Sequence, residues 1–243
     1  FVHGTYSSPA YWAEMFNTLW ADPELRRSCQ MWFFQYTTGN PVPYSAAELR
    51  DALQATVAEL DPEGSDEALR NMVLIGHSQG GLLVRLAVGG CEIATLEELS
   101  GHRLEELALA TEDEAMLRRC FEFEPLAGVT RAIFLCTPHG GSFLSRRWYS
   151  RLIGQLISFP GDVLTAGSSI LSKVQGLTGK SGPHDFSSIA NMAPDSRFVE
   201  VLARLPVDEH VTAHSIIAIG DADPADPESL AAADDGVVSY PSA

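Results

Sequence analysis

The sequence predicts an α/β fold in which a mostly parallel sheet carries helices on both faces. Three observations predict it. Short apolar runs alternate along the chain with stretches of helical spacing, the pattern of crossover connections between parallel strands. One run, Met72-Val73-Leu74-Ile75, lacks apolar–polar alternation, which reads as a strand buried on both faces. That run passes directly through Gly76-His77-Ser78-Gln79-Gly80-Gly81 into a helical pattern that lasts to Val88. Strand, glycine-rich turn and helix thus follow one another without a break.

The other elements follow in order. Phe1-Val2-His3-Gly4 reads as the end of a buried strand. Ser8-Pro9 offers a helix cap and a first-turn proline, with Tyr11, Met15, Phe16 and Leu19 at helical spacing behind it. Residues 31–36 read as a second strand. Ser45 and Glu48 have the spacing of a capping box, and Leu49, Leu53, Val57 and Leu60 mark a buried helical stripe. After the helix that ends near Val88, residues 92–124 are acidic and helical in pattern, an excursion from the sheet edge. Residues 132–136 resume the sheet. From about 140 to 194 the chain is rich in glycine and serine and contains a nearly uncharged stretch at 152–159. It reads as a cap or lid above the carboxyl edge of the sheet, where ligands bind in such folds, or equally as a plain covering helix. Residues 215–219 form the last expected strand, followed by an acidic loop to Asp235. Both ends read as truncated, because the chain opens on the last residues of a strand and stops after Ser239-Tyr240-Pro241-Ser242-Ala243 without a closing element.

Composition narrows the function. With 243 residues, 45% of them hydrophobic, the chain is long enough for one substantial core and short for two, so a single domain over residues 1–243 is expected. Thirty-two acidic against sixteen basic residues, a formal charge of -16, disfavour nucleic acid and anionic membrane surfaces as partners. Arg85, Asp162 and Lys173 interrupt the apolar stretches before they reach the roughly 20 residues that a membrane-spanning helix needs. The histidines are scattered rather than clustered, so neither a metal nor an organic cofactor is expected. Four cysteines, Cys29, Cys91, Cys120 and Cys136, do not settle the redox compartment, and Cys136, in an apolar run, reads as a reduced core residue. Cys91 and Cys120 flank the acidic excursion, and spacing leaves open whether they bridge its base. Oligomeric state is not legible, nor is the cellular address, since any signal peptide would precede Phe1.

The chemistry concentrates at Ser78. A serine hydroxyl is a weak nucleophile at neutral pH and needs an adjacent base, with amide donors ready for the oxyanion it creates. Gly76 and Gly80 remove side chains that would clash where the chain turns sharply from strand to helix, which leaves Ser78 exposed at the apex. Gln79 presents its backbone N–H at the helix start, where the helix dipole also favours negative charge. The second donor should come from the loop after an earlier strand. The backbone N–H of Thr5 is placed for it, with Gly4 permitting close approach and His3 holding the loop. His77 adjoins the nucleophile, and its side chain is expected to point elsewhere. Asp221, Asp223 and Asp235 all follow the last strand, and each is a candidate acid.

Phe1-Val2-His3-Gly4, Gly76-His77-Ser78-Gln79-Gly80-Gly81, Thr137-Pro138-His139-Gly140-Gly141-Ser142 and Asp235-Gly236-Val237-Val238 stand in the order seen in bacterial α/β-hydrolases. The chain resembles the esterase and lipase group related to the GPI inositol deacylases. That resemblance implies an α/β-hydrolase fold, Ser78 as nucleophile, and Asp235 as the catalytic acid. It also implies a bacterial protein of the cytoplasm or cell envelope. Chain order in the fold is serine, acid, histidine, and His139, His184, His210 and His214 all precede Asp235. The catalytic histidine is therefore expected beyond residue 243. His214 resembles a structural strand-entry position, and His139, at the carboxyl end of a strand, is expected to line the cleft. The expected activity is hydrolysis of carboxylic esters, acyl or lipid esters in particular, through an acyl-enzyme. An acyltransferase, a lipid amidase or a thioesterase would use the same residues, and a binding module without catalysis would keep the cleft.

Overall fold

The computed structural model describes residues 1–141, 192 and 196–243. Three named strands, β1 (Met72–His77), β2 (Val129–Leu135) and β3 (Thr212–Ile216), form a parallel sheet in the order β1-β2-β3. Two shorter extended segments continue it beyond β1. Val2 bridges Gly76 on one side and Phe34 on the other, both in parallel sense. The Val2 N–H donates to the Ile75 carbonyl at 2.8 Å, the His77 N–H to the Val2 carbonyl at 3.0 Å, and the Phe34 N–H to the Phe1 carbonyl at 3.0 Å. By chain order the five segments run 2-1-3-4-5. Strand order reverses between the Val2 segment and β1, and the crevice at such a switch point is where open α/β sheets bind ligands. The loop carrying Thr5 and the turn carrying Ser78 leave the sheet at that crevice.

The expected strand at 31–36 is reduced to this one bridge, because its pairing is confined to Phe1 and Val2. β2 starts earlier than expected and stops at Leu135, where Cys136 turns to φ 48°. β3 runs from Thr212 to Ile216 rather than over 215–219 for the same reason. With β2 gone after Leu135, the ladder closes on the Cys136 N–H donating to the Ile216 carbonyl at 2.9 Å.

Helices lie on both faces. α1 (Ala13–Ala21) follows a 3₁₀ turn over Pro9–Trp12. Ser8 caps this turn through its carbonyl, not its side chain. Of the expected helical stripe Tyr11 is 78% exposed, while Trp12 is the buried aromatic, edge-on to Phe1 at 5.3 Å. Phe16 meets Phe33 on the same face. α2 (Pro23–Ser28) is a surface turn capped by Asp22. α3 (Val42–Leu60) starts three residues before the expected capping box. Pro43 sits in its first turn, where a missing N–H costs nothing, so Ser45 falls inside the helix and is buried. The first half of α3 packs against α4 (Gln79–Ala87), and Leu60 at its far end overhangs the core at 58% exposure. α4 is apolar nearly all round and correspondingly buried, the mark of a core helix. Beneath it lie Val2, Leu74, Ala132 and Phe134. Burial along β1 alternates, with Val73 46% exposed. The unbroken apolar run therefore does not reflect full burial on both faces.

The acidic excursion holds α5 (Ile93–Ser100) and α6 (Thr111–Phe121), joined by a 3₁₀ turn at Leu104–Leu107 whose leucines pack with Leu117. An antiparallel bridge between Cys91 and Phe123 closes its base. Arg50 of α3 stacks on Phe123 at 3.5 Å and donates to the Arg119 carbonyl at 2.8 Å, which pins the excursion to the core. Cys91 and Cys120 are free, buried thiols, so backbone and cation–π contacts hold this base without a disulfide. α7 (Arg197–Arg204) and α8 (Pro227–Ala232) flank β3 in sequence. The expected lid, with its 152–159 stretch, and His184 lie outside the described residues. Among the described residues no helix is long and apolar enough to cross a membrane.

Candidate active site

Ser78 adopts φ 53°, ψ −124° between the last residue of β1 and the first of α4. A non-glycine residue held at positive φ costs about 1–3 kcal/mol and persists only where its surroundings enforce it. Glycines let those surroundings close in. A Cβ on Gly76 would lie 2.6 Å from the Gly80 carbonyl oxygen, one on Gly80 2.3 Å from the Val2 carbonyl oxygen, and one on Gly81 1.8 Å from Thr137 Oγ1. Strand, helix and the Val2 segment thus meet backbone to backbone. The Ser78 N–H donates to the Leu135 carbonyl at 2.9 Å, and the Ser78 carbonyl accepts from the Gly81 N–H at 2.9 Å. The strained residue is held from both sides.

Gly4 brings the Thr5 loop against Ser78. A Cβ there would stand 3.0 Å from Ser78 Cβ and 3.0 Å from His77 Nδ1. His3 is buried and stacks on Tyr36 at 4.6 Å, with its Nδ1 3.1 Å from the Gly4 carbonyl oxygen. Tyr36 in turn donates its hydroxyl to the His3 carbonyl at 2.8 Å. Burial lowers the His3 pKa. Among the described residues no acceptor takes the backbone N–H of Thr5 or of Gln79. Two N–H donors with no acceptor among the described residues therefore flank Ser78, one on the loop beside it and one at the start of α4.

Asp235 sits in a turn bridged by Asp234 and Ser239. One oxygen of its carboxylate accepts the Val237 N–H at 2.8 Å and the Val238 N–H at 2.7 Å. The same carboxylate lies near the Cys136 thiol, whose pKa is raised first by burial and further by Asp235, and its charge also acts on His77. Burial lowers the His77 pKa and Asp235 partly offsets this. Asp235 therefore stands at the carboxyl ends of β1 and β2. Asp221 and Asp223 are exposed, and Asp223 is engaged locally with the Ala225 N–H. Nothing in the sequence signalled this neighbour of Asp235, since only the positive φ of Cys136 and the distant turn bring the two together.

The remaining histidines lie apart. His139 packs edge-on against Phe134 at 4.8 Å; burial, and secondarily the Arg85 charge, pull its pKa to about 4. His210 pairs with Asp208 at 2.9 Å on the surface, and His214 contacts Arg131. Among the described residues no histidine hydrogen-bonds to Ser78 or Asp235, and no cluster of three or more His, Cys, Asp or Glu is arranged to hold a metal.

Comparison with known proteins agrees with this architecture. Residues 1–241 match the family described as the Alpha/beta hydrolase family. Among solved structures the chain is similar to the lipase BlEst2 of Bacillus licheniformis in its mature form, at 14% identity and a TM-score of 0.50, covering 98% of this chain and 75% of that one. The propeptide form of the same lipase gives 15% identity and a TM-score of 0.49, covering 98% and 41%. Phospholipase PlaB from Legionella pneumophila gives 14% identity and a TM-score of 0.45, covering 98% and 43%. No curated protein matches the chain.

Proposed function

The chain belongs to the alpha/beta hydrolase family, and we propose that it is a serine hydrolase cleaving carboxylic esters, acyl or lipid esters in particular, through an acyl-enzyme. The observation that carries this reading is Ser78 at φ 53°, between the N–H groups of Thr5 and Gln79, which no acceptor takes among the described residues. In this mechanism Ser78 Oγ attacks the ester carbonyl, and both amides donate to the oxyanion as the C–O bond becomes single. The alcohol leaves, and water then attacks the acyl-serine and releases the acid. Asp235 orients the general base and stabilises its protonated form. The base is a histidine following Asp235 in chain order, a position that none of the histidines in residues 1–243 occupies. Tyr6, 42% exposed beside the Thr5 donor, offers apolar surface for an acyl chain.

The test is labelling of the full-length protein with a fluorophosphonate probe, with Ser78→Ala as control, followed by hydrolysis of short- and long-chain p-nitrophenyl esters. Labelling at Ser78 with ester turnover is the expected result. A folded protein that takes no label would overturn the assignment.

A further inference from the structure

We propose that the side chain of Gln79 and the hydroxyl of Thr5 form a positioning clamp that sets the two oxyanion donors at a fixed separation before substrate binds, an inference resting on the reading of Thr5 and Gln79 above. Gln79 heads α4 and is fully buried. Its carboxamide reaches sideways into two loops. Oε1 accepts from Thr5 Oγ1 at 2.6 Å, and Nε2 donates to the Thr38 carbonyl at 3.0 Å. The next residue of the Thr5 loop, Tyr6, donates its N–H to Thr38 Oγ1 at 3.3 Å. Three segments distant in sequence, the elbow, the loop after Val2 and the turn at Thr38, are thereby closed into one net.

The Thr5 loop needs such a restraint. Tyr6 is held at φ 51°, a conformation that a bulky residue adopts only under constraint. A buried carboxamide paired at both ends has one favourable orientation, because turning it leaves a donor or an acceptor unpaired. The single hydroxyl proton of Thr5 is committed to Gln79, so this hydroxyl acts on the oxyanion through the position of its own backbone N–H and not as a third donor.

Thr5→Val, Thr5→Ser, Gln79→Met and the Thr5→Val/Gln79→Met double variant separate these roles. The readouts are kcat and KM on a soluble ester, the fluorophosphonate labelling rate, and amide exchange of peptides spanning residues 3–7. Thr5→Val keeps the amide and the shape, and lowers kcat by about 10-fold with KM little changed, the scale of a sub-ångström misplacement. Gln79→Met does the same, the double variant loses no more than either single one, and Thr5→Ser restores most of the rate. Exchange in residues 3–7 accelerates in the Val and Met variants and returns to the wild-type rate in Thr5→Ser. Losses that multiply in the double variant, or exchange unchanged in both single variants, would overturn the clamp. If the wild-type protein neither labels nor turns over ester, the hydrolase reading fails while the exchange data still decide the clamp.

Discussion

Gly4 and Gly80 both permit close backbone contact, yet replacing each with alanine should have opposite consequences. At Gly4 the new Cβ stands 3.0 Å from Ser78 Cβ, 3.0 Å from His77 Nδ1 and 3.1 Å from the His77 carbonyl oxygen. Carbon atoms in contact prefer about 3.5–4.0 Å, so roughly half an ångström must be found. The Thr5 loop can move that far, and in doing so it carries the Thr5 N–H away from the oxyanion. A misplacement of about 1 Å costs on the order of 100-fold, which puts Gly4→Ala near a 10-fold loss. Its stability changes little, since a slight overpacking of about 1 kcal/mol is offset by the smaller entropy of the unfolded chain.

At Gly80 the Cβ would lie 2.3 Å and 2.4 Å from the Val2 and His3 carbonyl oxygens. These belong to buried backbone that cannot yield without parting α4 from the sheet. The cost is about 3 kcal/mol, or roughly 10 °C in Tm for a chain of this size. The assay pairs fluorophosphonate labelling rate and kcat/KM with thermal melting for both variants. If Gly4→Ala labels at the wild-type rate, or melts as early as Gly80→Ala, the placement of Thr5 against Ser78 is wrong.

Three further outcomes are expected. Ser78→Gly relieves the φ of 53° and should melt above Ser78→Ala by about 1 kcal/mol in stability, with neither variant taking label; equal melting would show that the elbow stores no strain. Asp235→Asn keeps an oxygen for the Val237 and Val238 amides, so Tm should hold while kcat falls on the order of 1000-fold or more. Asp221→Asn and Asp223→Asn should each lose far less, and an equal loss in either would move the acid. Stability should fall as pH drops from about 6.5 towards 4, because His139 titrates near 4 when folded and near 6.5 when unfolded. The unfolded chain takes up the proton first, and the depressed His3 and His77 act in the same sense. Urea midpoints measured across that window should fall, with a shallower slope in His139→Gln; a flat profile would refute the burial argument.

Residues 72–88 were legible because one contiguous stretch holds a strand, a turn and a helix, and the steric demands of a sharp turn are met by its own glycines. The helical pattern of residues 92–124 was equally visible, and α5 and α6 lie within it. The start of α3 was misread because Ser45 and Glu48 mimic a cap, while the prolines at 41 and 43, which set the start, are tolerated in a first turn rather than diagnostic of one. The end of β3 was misread because an apolar run says nothing about where its neighbour stops, and β2 stops where Cys136 turns.

By itself the sequence determined the fold class, the sharp strand–turn–helix that carries Ser78 and the order of the elements, all of which depend on backbone sterics and periodicity within a few turns of chain. Only the tertiary structure placed Asp235 beside Cys136 and within the field of His77, tied Gln79 to Thr5 and Thr38, and left Cys91 and Cys120 unbridged. Those arrangements join residues tens of positions apart. A hydrogen-bond partner at such separation is chosen by how the intervening segments pack, and the local pattern around either residue does not contain it.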